Sequence, residues 1–169
     1  MSGSDRPPVF VIGIGNPDRG DDGIGPAVAR QLSGRVPPGV RVLELGGDVL
    51  ALMEDWKGCS AVILVDAVAP IAEPGRIHRL DLAKSPLPVV FSPASTHAFG
   101  LAETVELARS LGRLPPFLVA YLIEGGQFEA GGPLSPMVAK AVETAVEQIA
   151  LELSAIEETT RALGTARNA

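Results

Sequence analysis

The densest run of chemistry-bearing side chains is Gly13-Ile-Gly15-Asn16-Pro17-Asp18-Arg19-Gly20-Asp21-Asp22-Gly23-Ile24-Gly25, where three carboxylates alternate with glycines. Its place between an apolar run and a helix invites comparison with phosphate-binding loops, and the comparison fails on chemistry. A dinucleotide fingerprint starting at Gly13 wants glycine where Asp18 stands, and a phosphate loop from Gly15 to Gly20 finds Asp21 in place of lysine. Three carboxylates repel phosphate and attract a cation, and the flanking glycines allow tight turns that aim a carboxylate. The ordinary use of an aspartate before a helix is to cap it. Capping accounts for one of Asp21 and Asp22 more readily than for both together with Asp18.

Two other residues belong with this loop. Asp66 follows the apolar run Ala61 to Val65, which places it at the C-terminal end of a central strand, where open α/β sheets hold their ligands. A strand-end aspartate can also cap a turn, and Val68-Ala69-Pro70 reads as one. His97 stands in Ser95-Thr96-His97-Ala98-Phe99-Gly100-Leu101 at the mouth of a helix and is one of two histidines. A lone histidine is more often structural than a ligand. Two carboxylates and an imidazole at one sheet edge nevertheless form an open set for a divalent transition metal, with positions left for substrate or water. His78, between basic neighbours and with no acid in its segment, reads as a surface residue. Cys59, at a helix-to-strand turn, reads as buried and inert.

The elements that must position these groups follow from hydropathy patterning. Val9 to Ile14, Val40 to Leu45, Ala61 to Val65 and Phe117 to Ile123 are short apolar runs that read as buried strands, with Gly75 to Leu80 an edge strand and Val89 to Phe91 a fragment. Helices are expected from Pro26 to Leu32, Val49 to Trp56 and Ala98 to Leu111, the last with its start marked by Ser95 and Thr96. A long final helix opens with Ser135 as N-cap and Pro136 at its first position. The alternation predicts an α/β three-layer sandwich, a twisted and mostly parallel sheet of about five strands between helices. A single domain is expected over residues 1–158, with 159–169 a frayed tail where the apolar stripe is lost.

Composition limits the partners. A globule of 169 residues buries roughly 70% of its unfolded surface and needs no disulfide, and the single cysteine allows none within the chain. With 20 acidic and 14 basic residues the net charge is −6, and aromatics total 4%, so nucleic acid is not an expected partner. No stretch approaches a membrane span and no signal-peptide pattern opens the chain, so no membrane insertion and a cytoplasmic location are expected.

In this order, Gly13-Ile-Gly15-Asn16 with Asp21-Asp22-Gly23-Ile-Gly25, then Val65-Asp66-Ala67, then Ser95-Thr-His97-Ala-Phe-Gly100-Leu101 resemble the hydrogenase maturation endopeptidases. The likeness continues in Ile123-Glu124, Phe128-Glu129 and Leu134-Ser135-Pro136 and so covers most of the chain. It implies an endopeptidase that removes the C-terminal extension from the nickel-loaded precursor of a nickel-iron hydrogenase large subunit. It also implies that Asp22, Asp66 and His97 are both the metal-contacting and the catalytic residues, and that nickel arrives in the precursor instead of being held permanently. Within the loop it gives the ligand role to Asp22; two adjacent carboxylates are hard to turn onto one metal from a single tight turn, so Asp21 is expected to support it by accepting N–H groups at the helix start. Two departures stand out. Many relatives have glutamate where Asp22 stands, and many carry Asp-Gly-Gly where this chain has Leu45-Gly46-Gly47-Asp48, with Asp48 the candidate substitute. The chain carries neither a nucleophile elbow nor the helical zinc-protease signature, in keeping with hydrolysis by metal-assisted water. A nickel-sensing chaperone that does not cut and a general metallopeptidase are the rival expectations.

Overall fold

The computed structural model describes residues 7–91 and 100–166. Among these residues five strands, β1 (Val9–Ile14), β2 (Val40–Leu45), β3 (Ala61–Val68), β4 (Ile77–Asp81) and β5 (Phe117–Glu124), form one sheet in the order β2-β1-β3-β5-β4. All neighbours run parallel except β4, which pairs antiparallel with β5 at the edge. Strands β3 and β5 read AVILVDAV and FLVAYLIE, the near-continuous apolar runs of strands covered on both faces.

The helices supply that cover. Helices α1 (Ile24–Leu32) and α4 (Pro136–Ala166) pack on one face, against Val11, Ile63, Val119 and Ile123. On the other face lie α2 (Leu52–Asp55), which follows a 3-10 turn at Val49–Ala51, and α3 (Leu101–Ser110), against Ile12, Leu64, Ala120 and Leu122. The expected three-layer architecture is the one observed. No helix among the described residues is long and apolar enough to cross a membrane.

Several boundaries differ from the sequence expectation. Strand β3 continues through Asp66 to Val68, because β5 offers a partner to each added residue up to Glu124. Val89 to Phe91 is no strand but the end of a turn, closed by the Phe91 N–H donating to the Pro88 carbonyl at 3.1 Å. Helix α4 runs on to Ala166, past the point where a frayed tail is expected at Thr159. The extension reads Thr-Thr-Arg-Ala-Leu-Gly-Thr-Ala, with Arg161, Ala162, Leu163 and Ala166 its good helix formers, and it propagates a helix already nucleated upstream. The hydroxyls of Thr159 and Thr160 donate back to the carbonyls of Ala155 and Ile156.

Candidate functional site

The acidic loop is fixed by close backbone approaches. A Cβ on Gly25 would come within 2.2 Å of the Ile14 carbonyl oxygen, so the start of α1 is pressed directly onto the end of β1. Gly15 has φ +138°, a conformation that L side chains rarely adopt, and a Cβ there would meet the Asp22 carbonyl oxygen at 1.9 Å. Glycine at both places lets the chain turn back at once, carrying Asp21 and Asp22 to the C-terminal edge of the sheet.

Asp21 is wholly buried and serves as a clamp. Its Oδ2 accepts the N–H groups of Gly126 and Gln127 at 2.8 and 2.9 Å and the Ser135 hydroxyl at 2.9 Å, while Oδ1 accepts the Ser135 N–H at 2.7 Å. The expected cap at the start of its own helix is not formed, since neither the 3-10 turn Gly20–Gly23 nor α1 receives a side-chain cap. The donors lie instead in the loop after β5 and at the residue preceding α4. Ser135 does stand immediately before Pro136, the first residue of α4, but its hydroxyl is given to Asp21. Asp18 is exposed, its backbone N–H closing a turn on the Asn16 side-chain oxygen at 2.9 Å.

Asp22 and Asp66 differ from that clamp in how little holds them. Asp22 is 2% exposed, more enclosed than a ligand standing open to solvent, and its Oδ2 accepts the Asn16 N–H at 3.0 Å. Asp66 is half-buried, and its Oδ1 accepts the N–H of Ala67 at 2.8 Å. Among the described residues no other hydrogen bond reaches either carboxylate. Burial pushes the Asp66 carboxyl up to about 8, the Ala67 N–H only partly offsetting it, and the charge of Asp22 pushes it further in the same direction. The two acids therefore lie close enough to feel each other. Asp66 lies within β3, opposite Leu122 of β5, not beyond the strand's end.

His97, with Ser95, Thr96, Ala98 and Phe99, lies outside the described residues, so the third member of the expected trio has no described position. Among the described residues no three His, Cys, Asp or Glu side chains gather as a metal site. Asp48 is exposed and makes no cap hydrogen bond at the turn it precedes. Cys59 is buried as expected, and burial raises its thiol.

His78 is not the free surface residue that its basic neighbours suggest. Its Nε2 lies 2.7 Å from Oε1 of Glu124, a fully buried carboxylate at the end of β5. The other oxygen, Oε2, accepts the N–H groups of Ile71, Ala72 and Glu73 at 2.8, 2.8 and 2.9 Å. Burial pushes the Glu124 carboxyl up, but the His78 and backbone bonds outweigh it and hold it at about 2. The ionised acid fixes Nε2 as the proton-bearing nitrogen. The ring of His78 meets Phe91 edge-on, centroids 4.9 Å apart. One signal was present in the sequence: a charge closing the apolar run of β5 demands partners just as Asp66 does.

Beside Asp66 a cleft of about 240 Å³ opens between the ends of β3 and β5, the segment Leu87 to Phe91 and the start of α3. Apolar side chains dominate it, and among the described residues its ionisable groups are Asp66 and Glu103.

Comparison with known proteins agrees with this architecture. The family model for the hydrogenase maturation proteases matches residues 26–152, a span that contains Asp66 and His97 and begins just after Asp22. A hydrogenase expression/formation protein, HupD, of Bradyrhizobium diazoefficiens is 30% identical over 142 residues, 82% of this chain and 74% of the relative. The hydrogenase 2 maturation protease of Escherichia coli K12 is 28% identical over 155 residues, 88% of this chain and 93% of the relative. The solved structure of the E. coli hydrogenase maturating endopeptidase HybD superposes with a TM-score of 0.75 at 26% identity, covering 90% of this chain and 93% of that one. A nickel-iron hydrogenase maturation protease HybD from Thermococcus kodakarensis does so with a TM-score of 0.68 at 27% identity, over 86% and 98%. The chain belongs to the hydrogenase maturation protease family, and it is a peptidase.

Proposed function

We propose that this peptidase acts in the cytoplasm and removes the C-terminal extension from the nickel-loaded precursor of a nickel-iron hydrogenase large subunit. In this reading nickel is part of the substrate, and it is met by Asp22, Asp66 and His97. The observation that carries the reading is the pair Asp22 and Asp66, brought together at the C-terminal edge of the sheet with one N–H bond each. With Asp22 close by, Asp66 holds its proton up to about 8, and a cation that displaces that proton relieves the cost of ionising it there. A site that binds its own metal tightly would close a fuller ligand set, whereas a sparse one suits reading a metal already held by another protein.

The chemistry asked of the chain is modest. The docked metal polarises the scissile carbonyl and fixes its position, and water adds to the carbonyl carbon as a carboxylate takes its proton. The C–N bond then breaks and the proton passes to the departing amine. No thiol or hydroxyl nucleophile is required, and the one cysteine is buried at the opposite end of β3 from Asp66. The test is to mix purified protein with nickel-loaded and nickel-free precursor and weigh the products. Loss of the tail only from the nickel-loaded form is expected. Equal cutting of both forms, or binding without cutting, would overturn the reading, the second outcome favouring a nickel-sensing chaperone.

A further inference from the structure

The apolar cleft beside Asp66 has no part in the chemistry described so far, and its composition says what fits it. Its floor is made by Asp66, Val68 and Leu122, which share one face of the sheet, and one wall is Phe91. That wall is braced: Phe91 lies edge-on against His78, which is tied to the buried Glu124. On the rim Val89, an aliphatic side chain on a cleft wall, is 100% exposed. A volume of about 240 Å³ is below the roughly 300–1,000 Å³ of small-molecule sites and suits one or two side chains. Among the described lining residues both ionisable groups are acids, Asp66 and Glu103, which disfavours a phosphate or a nucleotide. What remains is an uncharged apolar side chain within a peptide.

Resting on the proteolytic reading of the same edge, we infer that this cleft is the subsite for an apolar side chain of the precursor's tail next to the scissile bond. Continuity decides between that occupant and another protein surface, because Asp66 belongs to both the cleft and the proposed metal site. Whatever fills the cleft therefore lies directly beside the reacting bond.

The experiment compares Val89→Asp with Val90→Asp. Both residues are exposed, at 100% and 53%, and both changes add the same charge one position apart, but only Val89 lines the cleft. Affinity for the nickel-loaded precursor, rate of tail removal and melting temperature are measured on the same samples. Val89→Asp is expected to weaken affinity and lower kcat/KM about tenfold or more, since an apolar side chain entering the cleft would strip water from an unpaired carboxylate. Val90→Asp should change either by less than about twofold, Val89→Ile should restore both, and all variants should melt alike because no core contact is lost. Equal effects of the two aspartates, or no effect of Val89→Asp, would overturn the subsite. Wild-type protein that binds but does not cut, with binding still lost in Val89→Asp, would overturn proteolysis and leave the cleft as a docking site. Wild-type protein that neither binds nor cuts overturns both.

Discussion

Two carboxylates lie two residues apart in register on adjacent strands and meet opposite treatment. Asp66 is opposite Leu122 and Glu124 is opposite Val68, so both occupy the C-terminal edge of the sheet. Burial pushes both upward. Glu124 receives three backbone N–H groups and the His78 ring and is held at about 2, whereas Asp66 receives one N–H and rises to about 8. The donors are therefore concentrated on the acid that organises the loop at Ile71 to Glu73, and the acid facing the cleft is left wanting a positive charge. Similar depth in the fold decides little about an acid's role. The number of donors aimed at it decides more.

The largest effect expected from breaking this comparison is at Asp66. Asp66→Asn keeps the size and removes the charge, so tail removal should fall on the order of 10²- to 10³-fold, as when a preorganised electrostatic contact is lost. Stability should move the other way. Because the folded carboxyl keeps its proton to about 8 while the unfolded one releases it near 3.8, wild-type stability declines as pH rises across that window. Melting curves of metal-free protein at pH 5 and 8 should show that decline in wild type and not in Asp66→Asn. The same decline in both would break the contrast.

Glu124→Gln should lower stability by about 3 kcal/mol, since it strands donors that face a charge. The sign of its pH dependence is opposite. Glu124 contributes stability above its ordinary value of 4.5 and loses that contribution as pH falls through about 2, so acid unfolding should be steeper in wild type than in the variant. Next in size is Asp21→Asn, expected to cost about 2 kcal/mol, because an amide nitrogen would face donors now met by carboxylate oxygens. Chemical denaturation with a loss below about 0.5 kcal/mol would mean that Asp21 is no more than a cap. The smallest effect is a slope: affinity for the nickel-loaded precursor should rise toward tenfold per pH unit below about 8 and level off above it. Nickel-free precursor, titrated alongside by calorimetry, should show no such slope.

What the sequence disclosed divides along the same line. The sheet was legible because buried parallel strands write themselves as apolar runs, and Asp66 stood out as a charge interrupting one. The extra length of β3 was hidden because Val68-Ala69-Pro70 reads as a turn, and only pairing with β5 extends the strand through Val68. The His78 pairing joins residues 46 positions apart, and the Asp21 clamp spans 105 to 114, separations that local patterning cannot carry. Hence Asp21 looked like a cap for its own helix, and His78 like a surface residue.

The Asp21 clamp also has a consequence for when the protein can work. Its partners Gly126, Gln127 and Ser135 lie in the last third of the chain, up to 114 positions downstream, so the acidic loop stays unanchored through most of synthesis. Contacts of such range form late, once the intervening chain has collapsed around them. A nascent chain therefore holds Asp22 beside an unfinished neighbour, and this edge of the sheet is completed only when the segment leading into the final helix arrives. Birth order thus acts as a timer: the edge that carries Asp22 is assembled last, when the residues that clamp its neighbour have been made.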